Sequence, residues 1–223
     1  MTIWIILAAV MTLSFIIQRV LTGKFEKYDR IMNPVGITGA EMAQKMLQDN
    51  GIDDVSVECI DGQLTDHFNP ATKTVNLSHA VYYGNSVSAA AIAAHECGHA
   101  VQHQEGYAPL RLRSALVPVV HFANMTVQWV LLAGVLLINV FPALLWIGIG
   151  LFAMTTLFSF ITLPVEINAS RRAVQWLEGR GITGKTLDMA SDALKWAAYT
   201  YVIAAIGSLA TLLYYIFIGN NRR

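Results

Sequence analysis

Charge is what this chain has least of. Lys, Arg, Asp and Glu make up only 13% of it against 55% hydrophobic residues, and the two signs cancel to a formal net charge of zero. A soluble globular domain carries about twice that share of charge, so the composition excludes an ordinary water-soluble globule. With no net positive charge and no basic cluster interleaved with aromatics, nucleic acid is excluded as a partner. Cysteine is nearly missing too: Cys59 and Cys97 cannot build a disulfide framework. The amino terminus, MTIWIILAAVMTLSFIIQ, lacks the basic n-region and small-residue cleavage site of a secretory signal, so it reads as a retained anchor. No internal repeat or low-complexity stretch is present.

The missing charge is unevenly placed. Between Arg113 and Glu166 no charged residue occurs for 52 positions, and a second uncharged run of 26 separates Lys195 from Arg222. Both exceed the roughly 20 residues that carry a helix across a bilayer. The longer run is enough for two crossings, and Asn139-Val140-Phe141-Pro142 supplies a turn in its middle. Four spans are therefore expected, near residues 2–18, 118–139, 143–164 and 197–218. Lys and Arg crowd the segment between the first and second spans and that between the third and fourth, which places both in the cytoplasm. On that topology Arg222 and Arg223 fall outside, against the rule. A reducing compartment also excludes a Cys59–Cys97 disulfide.

After the anchor, VLTGKFEKYDRIMNPVG reads as a charged linker. Thr38 and Glu41 are spaced as a capping box at the start of a helix that Gly51 ends. Residues 55–59, about 64–67, and 74–78 (TVNLS) alternate as short strands, with turns at Asp61-Gly62 and Asn69-Pro70. TVNLS is a candidate edge strand for pairing with an extended peptide. Helix then returns in SVSAAAIAAHECGHAVQH, with Ser86 or Ser88 as its cap. The expected fold is mainly α with a small β-sheet, an α+β polytopic membrane protein.

Within that last helix, His95 and His99 stand four apart, one turn along the same face, so two imidazole nitrogens can meet one metal ion. Glu96 lies beside that face, where its carboxylate serves water rather than metal, as a general base in hydrolysis. With six His and seven Glu in the chain, chance supplies H-E-x-x-H only about 0.005 times. Gly98 is expected to clear space for substrate. A catalytic zinc keeps three protein ligands and one open position. Gln102 and Glu105 stand where a metzincin needs Gly and His, and His103 lies two turns from His95, too far along the axis. Glu166, at the membrane boundary directly after the long uncharged run, is the stronger third ligand; the alternative is a snorkelling carboxylate paired with Arg171 or Arg172.

Gly179-Arg-Gly-Ile-Thr-Gly184-Lys185-Thr186 satisfies the phosphate-binding loop pattern. It follows what reads as a helix and belongs to no βαβ unit, so it reads as a Gly-rich turn and no nucleotide partner is expected.

Along nearly its full length the chain resembles the bacterial membrane-bound neutral zinc metallopeptidases of the YugP type, relatives of the gluzincin peptidases. The matching stretches are TGAEMAQKML, TDHFNPATKTVNLSHAVYYGNSVSAAAIAAHECGHAVQH, LPVEINASRRA and AAYTYVIAA. In those relatives the third ligand is the Glu of an E-x-x-A-D motif on a later helix, and Glu166-Ile-Asn-Ala-Ser170 looks like its counterpart. It departs at Ser170, so either Ser170 or Asn168 does for the histidines what that Asp does, or nothing does. The resemblance implies one Zn2+ per chain, a gluzincin-like catalytic core and peptide-bond hydrolysis. The expected plan is an anchor at 1–20, a cytoplasmic catalytic segment at 21–113 and a transmembrane hairpin at 114–165. A cytoplasmic helical segment with the third ligand follows at 166–195, then a last transmembrane helix at 196–223. The expected function is a multi-pass cell-membrane zinc endopeptidase acting on peptides or membrane proteins at the cytoplasmic face of the lipid bilayer. The alternative is a non-catalytic membrane protein with a structural zinc site. Tyr82, Tyr83 and His121 are candidates for stabilising the oxyanion.

Overall fold

A computed structural model describes residues 2–221 as a mainly helical chain with one small sheet. In order the elements are α1 (Thr2–Asp29), α2 (Gly39–Asp49), β1 (Ser56–Ile60), β2 (His67–Asn69), β3 (Thr74–Ser78), α3 (His79–Tyr83), α4 (Val87–Gln104), α5 (Ala108–Leu136), α6 (Pro142–Gly179) and α7 (Gly184–Asn221). Arg222 and Arg223, whose placement ran against the charge rule, lie outside the described residues. The chain divides into two compact units.

One unit holds Arg111–Leu163 with the chain up to Ile16 and from Thr200 onward. It takes in the most apolar stretches of α1, α5, α6 and α7, four helices long and apolar enough to cross a membrane. Helix is the form that hydrocarbon demands of a single segment, because every backbone N–H and C=O is satisfied within it. The α5–α6 hairpin turns at residues 137–141, on the expected Asn-Val-Phe-Pro stretch. Its helices approach closely where glycine allows. A Cβ on Gly134 would lie 2.6 Å from the Leu145 Cα, and one on Gly148 2.8 Å from the Leu131 side chain. Small residues at such crossings are the usual means of helix packing in lipid. Val127, Leu131, Leu145 and Ile149 form the small buried core of this unit, while Phe122, Met125 and Trp129 stay exposed.

The other unit, Ile17–Leu110 with Pro164–Tyr199, carries the polar chemistry. The expected linker after the anchor is helix as far as Asp29. Its Lys24 and Tyr28 side chains are tied to Asp192 of α7 at 2.5 and 2.6 Å, a long-range contact that no local pattern announces. The capping box of α2 forms as expected, with Thr38 accepting from the Glu41 N–H and Glu41 accepting from the Thr38 N–H. Gly51 follows that helix at φ +64°, a conformation glycine adopts without strain.

The sheet has the order β1-β3-β2, with β1 parallel and β2 antiparallel to β3. TVNLS is therefore the central strand and not an edge. All five of its residues are buried, and both of its sides are used by neighbours. β2 is the edge strand nearest α4, in register His67 to Asn76, Phe68 to Val75 and Asn69 to Thr74. Ser86 caps α4, its hydroxyl accepting from the Ala89 N–H. The alanines of α4 are nearly all buried, and with Met42, Met46, Leu77, Ala173 and Leu177 they build one continuous core. Between α6 and α7 the Gly-Arg-Gly-Ile-Thr-Gly stretch makes a helix-to-helix turn, with Gly181 at φ +85° and Gly184 at φ +59°. The element before it is α6 and no strand.

Candidate metal centre

Two helices build the site. α4 presents His95 and His99 on one face, their ring centroids 4.9 Å apart and nearly edge-on. α6 runs through Pro164 without a break and brings Glu166 to the same point. The Glu166 Oε2 lies 3.3 Å from His95 Nε2 and 3.6 Å from His99 Nε2, and one donor atom from each residue falls within 4.8 Å of the others. Glu166 and His99 are buried, while His95 is half-buried.

The close approach of α4 to α6 depends on Gly98. A Cβ there would sit 2.7 Å from the Ala169 carbonyl oxygen. The glycine serves helix packing behind the histidines, which replaces the expectation that it clears space for substrate.

Each histidine is held from behind. With Nε2 turned to Glu166, the Nδ1–H of His95 donates to the Ser170 hydroxyl at 3.1 Å. His99 Nδ1–H donates likewise to the Gln102 side-chain carbonyl at 3.0 Å. The Gln102 amide in turn donates to the Val165 carbonyl and to Asn168 Oδ1, both at 2.9 Å. Asn168 also accepts from the Arg172 Nε, and the Arg172 guanidinium grips both oxygens of Glu105. Such partners fix the tautomer and aim of a metal-binding imidazole. The role expected of Ser170 or Asn168 is thus divided: Ser170 touches His95 directly, and Asn168 reaches His99 through Gln102. Sequence reasoning missed Gln102, which appeared there only as a failed metzincin glycine. Its signal was present, since it is a polar residue three after His99 on a helix buried nearly all round.

Glu96 stands apart from the three-residue group. Its carboxylate is buried and accepts from the Phe68 N–H of β2 at 3.1 Å. Burial opposes protonation of His99, but hydrogen bonding to Glu166 and the charges of Glu96 and Glu166 outweigh it and hold the imidazole pKa above its ordinary value. Beside it, burial pushes the Cys97 thiol far up, which keeps it protonated and inert.

The remaining candidates fall elsewhere. His103 packs its ring against Phe68, tilted, with the centroids 5.7 Å apart, exposed and outside the cluster. Arg172 is engaged by Glu105 and Asn168. Tyr82 and Tyr83 pack on each other on α3, and Tyr83 with His79. His121 belongs to the apolar unit.

Two imidazole nitrogens and a carboxylate oxygen, converging in a buried spot with the Nδ1 atom of each histidine already hydrogen-bonded, are a donor set that fits zinc. No solved structure matches the chain. A protein of Bacillus subtilis (strain 168) described as "Putative membrane protease YugP" is 44% identical over 216 residues, covering 96% of this chain and 95% of that protein. The family described as "Putative neutral zinc metallopeptidase" matches residues 3–220. The match spans both the apolar helices and the histidine-bearing unit, and the chain belongs to this family of neutral zinc metallopeptidases.

Proposed function

We propose that the protein is an integral-membrane zinc endopeptidase in which His95, His99 and Glu166 hold Zn2+ and Glu96 is the general base. The observation that carries the reading is the convergence of those three side chains on one point, with Glu96 one residue along the same helix and turned to the Phe68 N–H instead. When bound, zinc supplies Lewis acidity toward the scissile carbonyl and makes water a better nucleophile. The chain's own residues do the rest. Glu96 takes the proton of the attacking water on the oxygen that Phe68 leaves open and passes it to the departing amine. Ser170 and Gln102 keep the two imidazoles in the tautomer that presents Nε2. An extended peptide pairs by main-chain hydrogen bonds along the outer edge of β2, the strand that adjoins Glu96. A purely structural zinc site does not need a second carboxylate beside its ligands, and Glu96 supplies one next to His95, which favours the enzyme over that alternative.

The catalytic segment (21–113) and the third-ligand segment (166–195) are assigned to the cytoplasm on the distribution of Lys and Arg. Cys59 is exposed and Cys97 buried, so the native chain carries its own probe. An impermeant maleimide should label Cys59 only after cells are opened; labelling from outside reverses the topology. Because Glu166 follows the uncharged run directly in sequence, substrates are membrane proteins or peptides cut close to the bilayer. Cleavage of one reporter sequence should fall as it is moved away from a transmembrane anchor, and equal rates at all distances contradict this.

The test of the activity itself is Glu96→Gln. Loss of a general base lowers turnover by about 10²–10⁴-fold, with zinc content and fold retained. Undiminished cleavage would remove the mechanism.

A further inference from the structure

The unit that carries the metal cluster also holds a solvent-open pocket of about 220 Å³, lined by α1, the loop before β2, the end of β3, α3 and the first half of α4. That is the liquid volume of about seven water molecules, room for one long side chain. Its wall is of two kinds. Phe25, Leu64 and Ile92 give an apolar lining, and Glu26, Asp29 and Asp66 give three carboxylates, with no Lys or Arg among the lining residues. None of the three acids takes part in an ion pair among the described residues. Two are held in place by neutral donors. Asp29 accepts from the Ser86 and Ser88 hydroxyls at 2.8 and 3.2 Å, and Asp66 accepts from the Ser78 N–H at 2.7 Å.

Two of the elements that line the pocket also place Glu96. Ile92 precedes Glu96 by one turn of α4, and Asp66 precedes by two residues Phe68, whose N–H meets the Glu96 carboxylate. One helical turn is about 5.4 Å, and an extended peptide advances about 3.3 Å per residue. A substrate side chain filling the pocket therefore belongs to a residue about two positions from the cut. An apolar wall for a methylene stem and uncompensated carboxylates for a charged head describe a lysine or arginine side chain. A bare metal ion would leave the apolar half unused.

We infer that the protein selects peptides bearing Lys or Arg about two residues from the scissile bond, and that Glu26, Asp29 and Asp66 receive that cation. The inference rests on the peptidase reading above. It is tested on the full-length, zinc-loaded Glu96→Gln protein, so that binding is read without hydrolysis. Two fluorescent peptides are compared that differ only in lysine or norleucine at the position in question, scanned over three residues on either side of the cut. The lysine peptide should bind about tenfold more tightly at one position, and Glu26→Gln should bring the ratio close to one. Asp29→Asn should do the same. Because Asp29 also holds two serines, Glu26→Gln, at an exposed residue, is the deciding variant. Equal binding of the two peptides at every position, or a preference that survives Glu26→Gln, overturns the inference. Wild-type protein that cuts peptides without basic preference overturns it while leaving the peptidase reading intact. A lysine preference that Glu26→Gln removes, with no cleavage of any peptide by the wild-type protein, overturns the peptidase reading and with it the placement relative to a scissile bond, and leaves only the three carboxylates as the cation's receptors.

Discussion

The two units satisfy their polar side chains in opposite ways. In the apolar unit the hydroxyls turn back on their own helix: Thr126 donates to the Phe122 carbonyl, Thr156 to Phe152, Thr162 to Phe158 and Thr211 to Gly207. In the unit that bears the site many polar side chains reach across elements. Asn33 donates to the Asn85 carbonyl, Ser86 and Ser88 to Asp29, Ser78 to Asp66, and Gln102 joins α4 to α6. Hydrocarbon offers no partner, so a hydroxyl in a span finds one within four residues. A packed polar unit can route its bonds over long sequence distances, and each such bond then helps to specify the arrangement of helices. Local satisfaction should make substitutions cheap, and satisfaction across elements should make them costly.

The sharpest break of that comparison sets two glycines of α4 and α6 side by side. A Cβ on Gly98 meets the Ala169 backbone, whereas one on Gly150 meets nothing within 4 Å. Gly98→Ala should destabilise by about 1–3 kcal/mol through overpacking and weaken zinc binding by prising α4 from α6, while Gly150→Ala should leave zinc binding unchanged and stability equal or slightly higher. Thermal unfolding in detergent, with and without zinc, reads the difference. Equal effects at the two positions would show that the α4–α6 contact does not set the site.

A smaller effect is expected behind His99. Gln102→Leu leaves the His99 Nδ1 without its acceptor and breaks the bond to Asn168, and loss of such support lowers metal affinity by about 10–100-fold. Competition with a chelator measures it. Thr156→Val in the apolar unit, which removes only a bond to its own helix, should leave zinc affinity untouched.

The smallest effect lies at the surface. Arg172 holds the Glu105 carboxyl below its ordinary pKa. A depressed carboxylate stabilises the fold above its unfolded pKa, and that contribution is lost as pH falls through the lowered folded value. Glu105→Gln should therefore cost at most about 1 kcal/mol at neutral pH and nothing in acid below that range. Unfolding curves of the two proteins should converge as pH drops.

The same contrast explains what the sequence made legible. The four long apolar helices, the turn at Asn139–Pro142 and the α2 capping box rest on local rules, and all were readable. That His95 and His99 share one face was readable, because helical spacing alone puts them there. Glu166 came from its place at the end of an uncharged run and from resemblance, and the structure brings it to the histidines. The central position of β3 was not readable, because TVNLS alternates like any edge strand and strand order depends on a parallel crossover. Nor was the packing role of Gly98, which depends on Ala169, more than 70 residues away. Nor was helix through Asp29 where a linker was expected; its Lys24 and Tyr28 bond to Asp192, more than 160 residues away.

The most direct test is zinc content by elemental analysis of purified protein, comparing wild type, Glu96→Gln and Glu166→Ala prepared alike. With Glu166 as third ligand and Glu96 serving water, about one zinc per chain should remain in wild type and Glu96→Gln, and Glu166→Ala should lose it. Full zinc in Glu166→Ala, or its loss in Glu96→Gln, would contradict the assignment of these two carboxylates.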